Sequence, residues 1–323
     1  MKRSYFTFRG KESFELDLLG KNTLDLMREN LGAELLDGEL PDGDKVVLDP
    51  VYPFLSKDRL NDFLTFHTGS FSFEGGYVVR DGGEAEPKEK IEDGLFSLSD
   101  YSAMITRAAN ICAERWAERG AIVEEGAEVS FLSELQEGVV VERGARIVGK
   151  CVIGKNTKIG KNSEIIDSMI GENCEIRYSV LERSRVGDDT RIGPFSYLRP
   201  DSAVGDHCRV GDFVELKNCR FGNGSKAAHL SYVGDAEVGE NVNIGCGVVF
   251  ANYNGKIKSK TYVGSGSFIG SNCNLIAPVS VGAGSFLAAG TTLTKDLKDN
   301  DFCIGRCREE IKEGRAKKYL PNQ

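Results

Sequence analysis

Between Val141 and Leu293 the apolar residues recur in sixes. The first run is Val141, Ile147, Ile153, Ile159 and Ile165, and after a slip the phase resumes at Ile170 and Ile176. It continues through Val186, Ile192, Leu198, Val204, Val210 and Leu216, and steps of five or six carry it by Phe221, Ala227, Val233 and Val238 to Ile244 and Phe250. A last run holds Val263, Ile269, Leu275, Val281, Leu287 and Leu293. The next residue is often glycine, as at Gly154, Gly187, Gly211 and Gly270. A period of six matches neither an amphipathic helix nor a simple alternating strand. Glycine at this frequency would cost a helix about 1 kcal/mol at each occurrence. Three hexapeptides instead close a triangular coil of about 18 residues. Its aliphatic side chains point inward, β-branched residues suit its flat sides, and Gly or Asn suits corners that need positive φ. The expected fold is mainly β, a parallel β-helix of hexapeptide repeats.

The remaining pattern predicts what flanks the coil. Residues 1–97 read as a small α/β unit, with helix-like segments at Asn22–Asn30 and Lys57–His67 and apolar runs at Lys45–Leu48 and Gly76–Arg80. A charged, glycine-rich linker spans Asp81–Asp93. Residues 98–120 predict a connecting helix, capped by Ser99 or Asp100 and stopped by Gly120. The coil is assigned to 121–298 and a C-terminal tail to 299–323, with a short exposed helix expected over Glu309–Lys318.

A coil of about 18 residues places equivalent positions about 4.8 Å apart, the spacing of adjacent strands. Arg199 and Lys217 then stack one coil apart, each directly after an inward residue. Two cations so close repel one another unless an anion lies between them, and a phosphate is the obvious candidate; two surface charges with counter-ions are the alternative. A second column, two places after an inward residue, holds His229, Cys246, Ser271 and Ala289. Three are small, and they make a trough about 14 Å long in which a pantetheine arm fits, with its thioester near His229. Packing against a neighbouring prism is the alternative for these residues. A neutral imidazole is suited to take a proton from an amine nucleophile. His67 and His207 offer no such context. The segment Asn252–Lys260 breaks the phase, and its three lysines suit an anionic ligand.

Charge and composition narrow the function classes. The net charge is −8 over 323 residues, which offers no global field for nucleic acid or an anionic membrane. No signal peptide or membrane-spanning run is apparent. Nine cysteines scatter with no CxxC and no Cys/His cluster, so free thiols in a reducing cytoplasm are expected and a metal site is not.

Residues 186–306 resemble the acetyltransferase half of the bacterial bifunctional N-acetylglucosamine-1-phosphate uridyltransferase/glucosamine-1-phosphate N-acetyltransferase family. The matching text is Ile192–Pro200, Val210–Lys217, Gly224–Glu237, Gly239–Gly245, Asn252–Gly255, Ile276–Val279 and Ala288–Thr292. The resemblance implies a left-handed coil, a homotrimer with sites between subunits, and acetyl-CoA as co-substrate with no metal. It implies His229 as general base. Arg199, Lys217, Tyr232, Asn243 and Lys258 would hold the sugar phosphate. Cys246, Asn252, Tyr253, Ser271, Ala289 and Arg306 would line the acetyl-CoA site. Cys246 stands where the family commonly has Ala, and Asn254 where it commonly has Asp. The first half departs further: the family's glycine-rich nucleotide loop is absent, and Val51 falls where a metal-binding Asp is expected. Residues 1–97 are therefore expected to be a truncated nucleotidyltransferase relic without uridyltransferase activity.

The leading expectation is acetyl transfer to the 2-amine of glucosamine-1-phosphate, in the cytoplasm, for UDP-N-acetylglucosamine synthesis. Another amino sugar or a nucleotide-linked amino sugar as acceptor, a bifunctional enzyme, and a non-catalytic trimeric scaffold remain the alternatives.

Overall fold

The computed structural model describes residues 109–110 and 112–320, with the strand backbones of residues 5–8, 17–18, 21–22, 45–48, 71–73 and 76–79. The chain divides into two compact units, Met1–Ile153 with Ile165–Asp167, and Gly154–Glu164 with Ser168–Gln323.

In the first unit, Lys45–Leu48 runs parallel to Tyr5–Phe8 and antiparallel to Gly76–Val79, which pairs in turn with Phe71–Phe73. Both apolar runs of the N-terminal region are thus strands of one mixed sheet. The helix expected at Lys57–His67 lies outside the described residues, as does that at Asn22–Asn30 apart from Asn22, which is in a strand. Helical backbone is described at 109–110 and 112–117. It ends where Gly120, at φ 83°, donates to the Ala117 carbonyl and Ala121 donates to the Trp116 carbonyl. This pair of bonds is a Schellman stop, and the left-handed residue it needs is why glycine stands there. Coil follows at once, with Ile122–Val123 pairing with Val140–Val141 and Glu134–Leu135 with Val152–Ile153, all in parallel.

The second unit is built of the same parallel rungs. Ile192 pairs with Val210, Val210 with Ala227, Ala227 with Ile244, Ile244 with Ile269, and Ile269 with Leu287. Among the described residues the two units hold about ten turns of parallel β-solenoid with very little helix, consistent with a left-handed β-helix. The residues of the six-phase are the core: Ile153, Ile159, Leu198, Val210, Leu216, Phe250 and Leu275 have at most 1% of their surface exposed. Burying each such side chain is worth about 1.5–3 kcal/mol. Leu181 fills the inward place between Ile176 and Val186, a position the six-residue count passes over.

Hydroxyls tie successive coils together inside. Ser225 donates to the Gly239 carbonyl and accepts from the Val242 N–H, and Thr157 does the same with Gly171 and Cys174. This satisfies buried polar groups at the corners, which an apolar side chain would leave bare. The corners adopt positive φ, at Asn156, Asn162, Asn241 and Asn272 as the composition suggests. Tyr178, Phe195, Phe213 and Leu230 also lie there at φ 40–60° and are 42–60% exposed.

All nine cysteines are free. Beyond Leu293 the pairing persists, with Phe302–Cys303 beside Phe286–Leu287. The helix expected over Glu309–Lys318 is only a 3-10 turn at Arg315–Lys318. Gly314 interrupts it at φ 67°, and none of its residues is buried to anchor it. Among the described residues no helix is long and apolar enough to cross a membrane.

Candidate active site

The candidate site gathers on one corner of the second unit and on the two sides that meet there. Val210 and Ala227 point inward on paired rungs, so the residues two places on, Asp212 and His229, stand opposite one another. Asp212 Oδ1 lies 2.8 Å from His229 Nδ1. Its own backbone N–H, and after that the imidazole, hold the Asp212 carboxyl below the usual carboxylate range. An anionic Asp212 accepts from Nδ1–H, which leaves Nε2 of a neutral ring as a proton acceptor. Asp212 is absent from the expected site. The signal was available, because the column headed by His229 extends one coil further back.

The register places the rest of that column as counted. Ala227, Ile244, Ile269 and Leu287 are successive partners, so His229, Cys246, Ser271 and Ala289 follow one another at strand spacing. Cys246 is exposed. At the far end the Arg306 guanidinium donates to the Ala289 carbonyl at 2.8 Å.

Round the corner, Leu198 pairs with Leu216, which stacks Arg199 on Lys217 as predicted. Each cation has its own carboxylate, so the counter-ions of the alternative reading are present. Arg199 Nη1 meets Glu215 Oε1 at 2.9 Å, and Lys217 Nζ lies 3.7 Å from Asp235. Arg199 keeps other donors free for a ligand, since one guanidinium carries five, and 42% of its side chain is exposed.

Asp235 is the hub of this side. It is buried, at φ 48°, and accepts from Asn218 Nδ2 at 2.7 Å and from Asn252 Nδ2. Burial pushes its carboxyl up, but the amide hydrogen bonds and the Lys217 and Lys258 charges outweigh this and leave it below the ordinary value. Asn252 also lies 3.4 Å from the Tyr232 hydroxyl. Tyr232 can lie flat because its neighbour is Gly234: a Cβ there would run into the Tyr232 ring and hydroxyl. Asp235 and Glu215 were both missed, since spacing says nothing about which acid reaches which base.

The loop at 252–258 accounts for the break in phase. Ala227 to Ile244 is one coil of 17 residues, whereas Ile244 to Ile269 takes 25. The excess forms a hairpin closed by the antiparallel bridge between Tyr253 and Lys258. Asn254 Oδ1 accepts from the N–H groups of Lys256 and Ile257 at 3.0 and 2.9 Å. Asn254 therefore shapes the turn, and its carbonyl oxygen serves as well as a carboxylate would. The geometry brings together His229 with Asp212, and Lys217, Tyr232 and Asn252 around Asp235. Asn243 stays apart, paired with Lys226 and Phe268 on the flat side and joined to these groups by no described hydrogen bond. Among the described residues no cluster of three His, Cys, Asp or Glu side chains is placed to hold a metal.

The bacterial transferase hexapeptide family (six repeats) matches residues 183–218, and the hexapeptide repeat of succinyl-transferase matches 260–295. The bifunctional protein GlmU of Geobacillus sp. (strain WCH70) is 49% identical over 196 residues, which are 60% of this chain and 43% of that protein. GlmU of Clostridium acetobutylicum is 45% identical over 274 residues, covering 80% of this chain and 58% of its own. The chain thus spans about half the length of these relatives. A solved UDP-N-acetylglucosamine acyltransferase from Francisella novicida aligns over 57% of this chain and 67% of its own, at 15% identity and a TM-score of 0.41. Residues 183–218 and 260–295 thus carry the hexapeptide repeats of bacterial transferases, and the repeat-bearing region is similar to the bifunctional protein GlmU, consistent with its C-terminal acetyltransferase half.

Proposed function

We propose that the second unit transfers an acetyl group from acetyl-CoA to the 2-amine of glucosamine-1-phosphate, giving N-acetylglucosamine-1-phosphate and free CoA. The observation that carries this reading is the Asp212–His229 pair standing at the head of a small-residue column. Asp212 fixes the ring so that Nε2 faces outward as a base. As the amine attacks the thioester carbonyl, Nε2 takes its proton, the carbonyl oxygen becomes anionic, and collapse expels the CoA thiolate. No acyl-enzyme is needed.

Arg199 and Lys217 bind the sugar phosphate, with Lys258 adding charge from the loop. Their carboxylate partners hold them in place before the substrate arrives, which lowers the entropy cost of binding. Tyr232 contacts the sugar, and Asn243, which stands apart from it on the flat side, reaches the sugar bound by a neighbouring copy. Asn252 and Tyr253 lie at the acetyl group, and Cys246, Ser271, Ala289 and Arg306 take the CoA arm.

We extend the proposal to assembly. Phe195 and Phe213, both more than half exposed in left-handed backbone, stack at 5.6 Å, and Phe195 meets Tyr178 at 5.8 Å. Bulky side chains in that conformation are costly, and an apolar ladder beside the catalytic pair suits a covered face. A homotrimer with each site completed by its neighbour fits this ladder. In the same reading, residues 1–97 are a nucleotidyltransferase relic without uridyltransferase activity.

The test is thiol release from acetyl-CoA with glucosamine-1-phosphate, glucosamine-6-phosphate and UDP-linked amino sugars offered in turn. Turnover with glucosamine-1-phosphate is expected. Turnover confined to a nucleotide-linked sugar would move the acceptor, and release with none would overturn the reading.

A further inference from the structure

The face that carries His229 has a second outward column, one residue before each inward side chain. After Glu175 it is cationic, with Arg191, Arg209 and Lys226 in register, and it passes through Asn243. It then turns aromatic, with Phe268, Phe286 and Phe302 on successive rungs. The change falls where the neighbouring column becomes Ser271 and Ala289. The three rings stack on one another, at 4.7 Å and 9° for Phe268–Phe286 and 5.7 Å and 19° for Phe286–Phe302. They are 40, 42 and 65% exposed, the last ring most of all.

Between the aromatic wall and the small column runs a floor at backbone height. A Cβ on Gly270 would come within 2.5 Å of the Ala289 nitrogen and 2.6 Å of the Leu287 oxygen, so nothing larger than glycine fits that rung. Arg306 closes the end of the small column with its guanidinium bound to the Ala289 carbonyl. This is a narrow floor for a flexible arm, a stack of rings whose last member, Phe302, offers a face to a planar ring, and a cation for phosphate. A long alkyl chain would use the wall and leave Arg306 without a partner. A polyanion would settle on the cationic half of the column instead.

We infer that the Phe268–Phe286–Phe302 ladder binds the adenosine end of the acyl donor, with adenine on the Phe302 ring, which Phe286 backs, and the phosphates toward Arg306. The inference rests on the acyl-CoA reading above and adds to it residues that set donor affinity. A base stacked on an aromatic side chain contributes enough that losing it is read as about a tenfold change in affinity.

The experiment compares wild type with F286A, F302A and the milder F286L and F302L. Kinetics are measured with acetyl-CoA and with acetyl-pantetheine, which lacks adenosine and its phosphates. Expected is a KM for acetyl-CoA raised about tenfold in the alanine variants, with kcat and the KM for acetyl-pantetheine and amino sugar unchanged. An unchanged KM for acetyl-CoA overturns the inference, as does a parallel rise for both donors or a change of molecular mass by light scattering. Adenosine 3′,5′-bisphosphate binding, followed by calorimetry, tests the ladder without turnover. Should the wild type acetylate no amino sugar yet bind this probe more tightly than F302A, the acetyl-transfer reading fails and the ladder stands.

Discussion

Asp212 and His229 meet across a single rung of the coil, Oδ1 against Nδ1 at 2.8 Å, because both follow an inward residue by two places. In the proposed mechanism this pair orients the base without help from the loop or the acceptor side. His229→Ala should lower kcat by about 10²- to 10⁴-fold. Asp212→Ala should lower it less, by about ten- to a hundredfold, since the imidazole remains but loses the group that fixes its tautomer. Steady-state kinetics decide this. Equal kcat in wild type and Asp212→Ala would remove Asp212 from the mechanism.

Asp235 makes a pH prediction with a definite sign. Its carboxyl sits below the ordinary value when folded. Its contribution to stability is therefore fully present above the unfolded carboxyl range, at about pH 4, and is lost as pH falls through the folded value. Asp235→Asn keeps the shape but turns an acceptor into a donor facing Asn252 or Asn218. We expect a loss of about 1–3 kcal/mol at neutral pH and a shallower decline on acidification. Denaturant unfolding at several pH values measures both, and identical acid limbs would refute the assignment.

Gly234 holds Tyr232 in place by having no side chain. Gly234→Ala should push the ring away and raise KM for the amino-sugar phosphate, while circular dichroism and molecular mass stay as in wild type. A KM that does not move would mean that Tyr232 makes no contact with the acceptor.

Phe213→Asp places a charge in the exposed ladder of the corner. If copies of the chain meet there, the assembly should dissociate, with the loss seen by analytical ultracentrifugation. Retention of the same mass would locate any interface elsewhere.

How much of this was legible beforehand follows from what each feature depends on. The coil shows in the sequence because each inward residue from Val186 to Leu293 answers to one repeating constraint, and steps of five, as through Leu181, do not break it. The stacking of Arg199 on Lys217, and of His229 above Cys246, followed from counting alone. The carboxylates did not. Glu215 and Asp235 reach their cations through side-chain conformations, and Asp235 also through a left-handed corner, neither of which a spacing encodes. Asp212 was within reach of the same count, hidden only by its different chemistry. The tail misled because charge and propensity favour a helix over 309–318, yet no packing surface supports one.

The hairpin at 252–258 leaves the wall and returns to it between rungs that remain in register, Phe250 with Leu275 and Val238 with Val263. Its length is thus free of the stacking that fixes every other segment. Under the proposed acetyl-transfer reading, acceptor choice can then drift by insertion or deletion there while the scaffold stays constant, so this loop is the place to exchange when seeking a different acceptor.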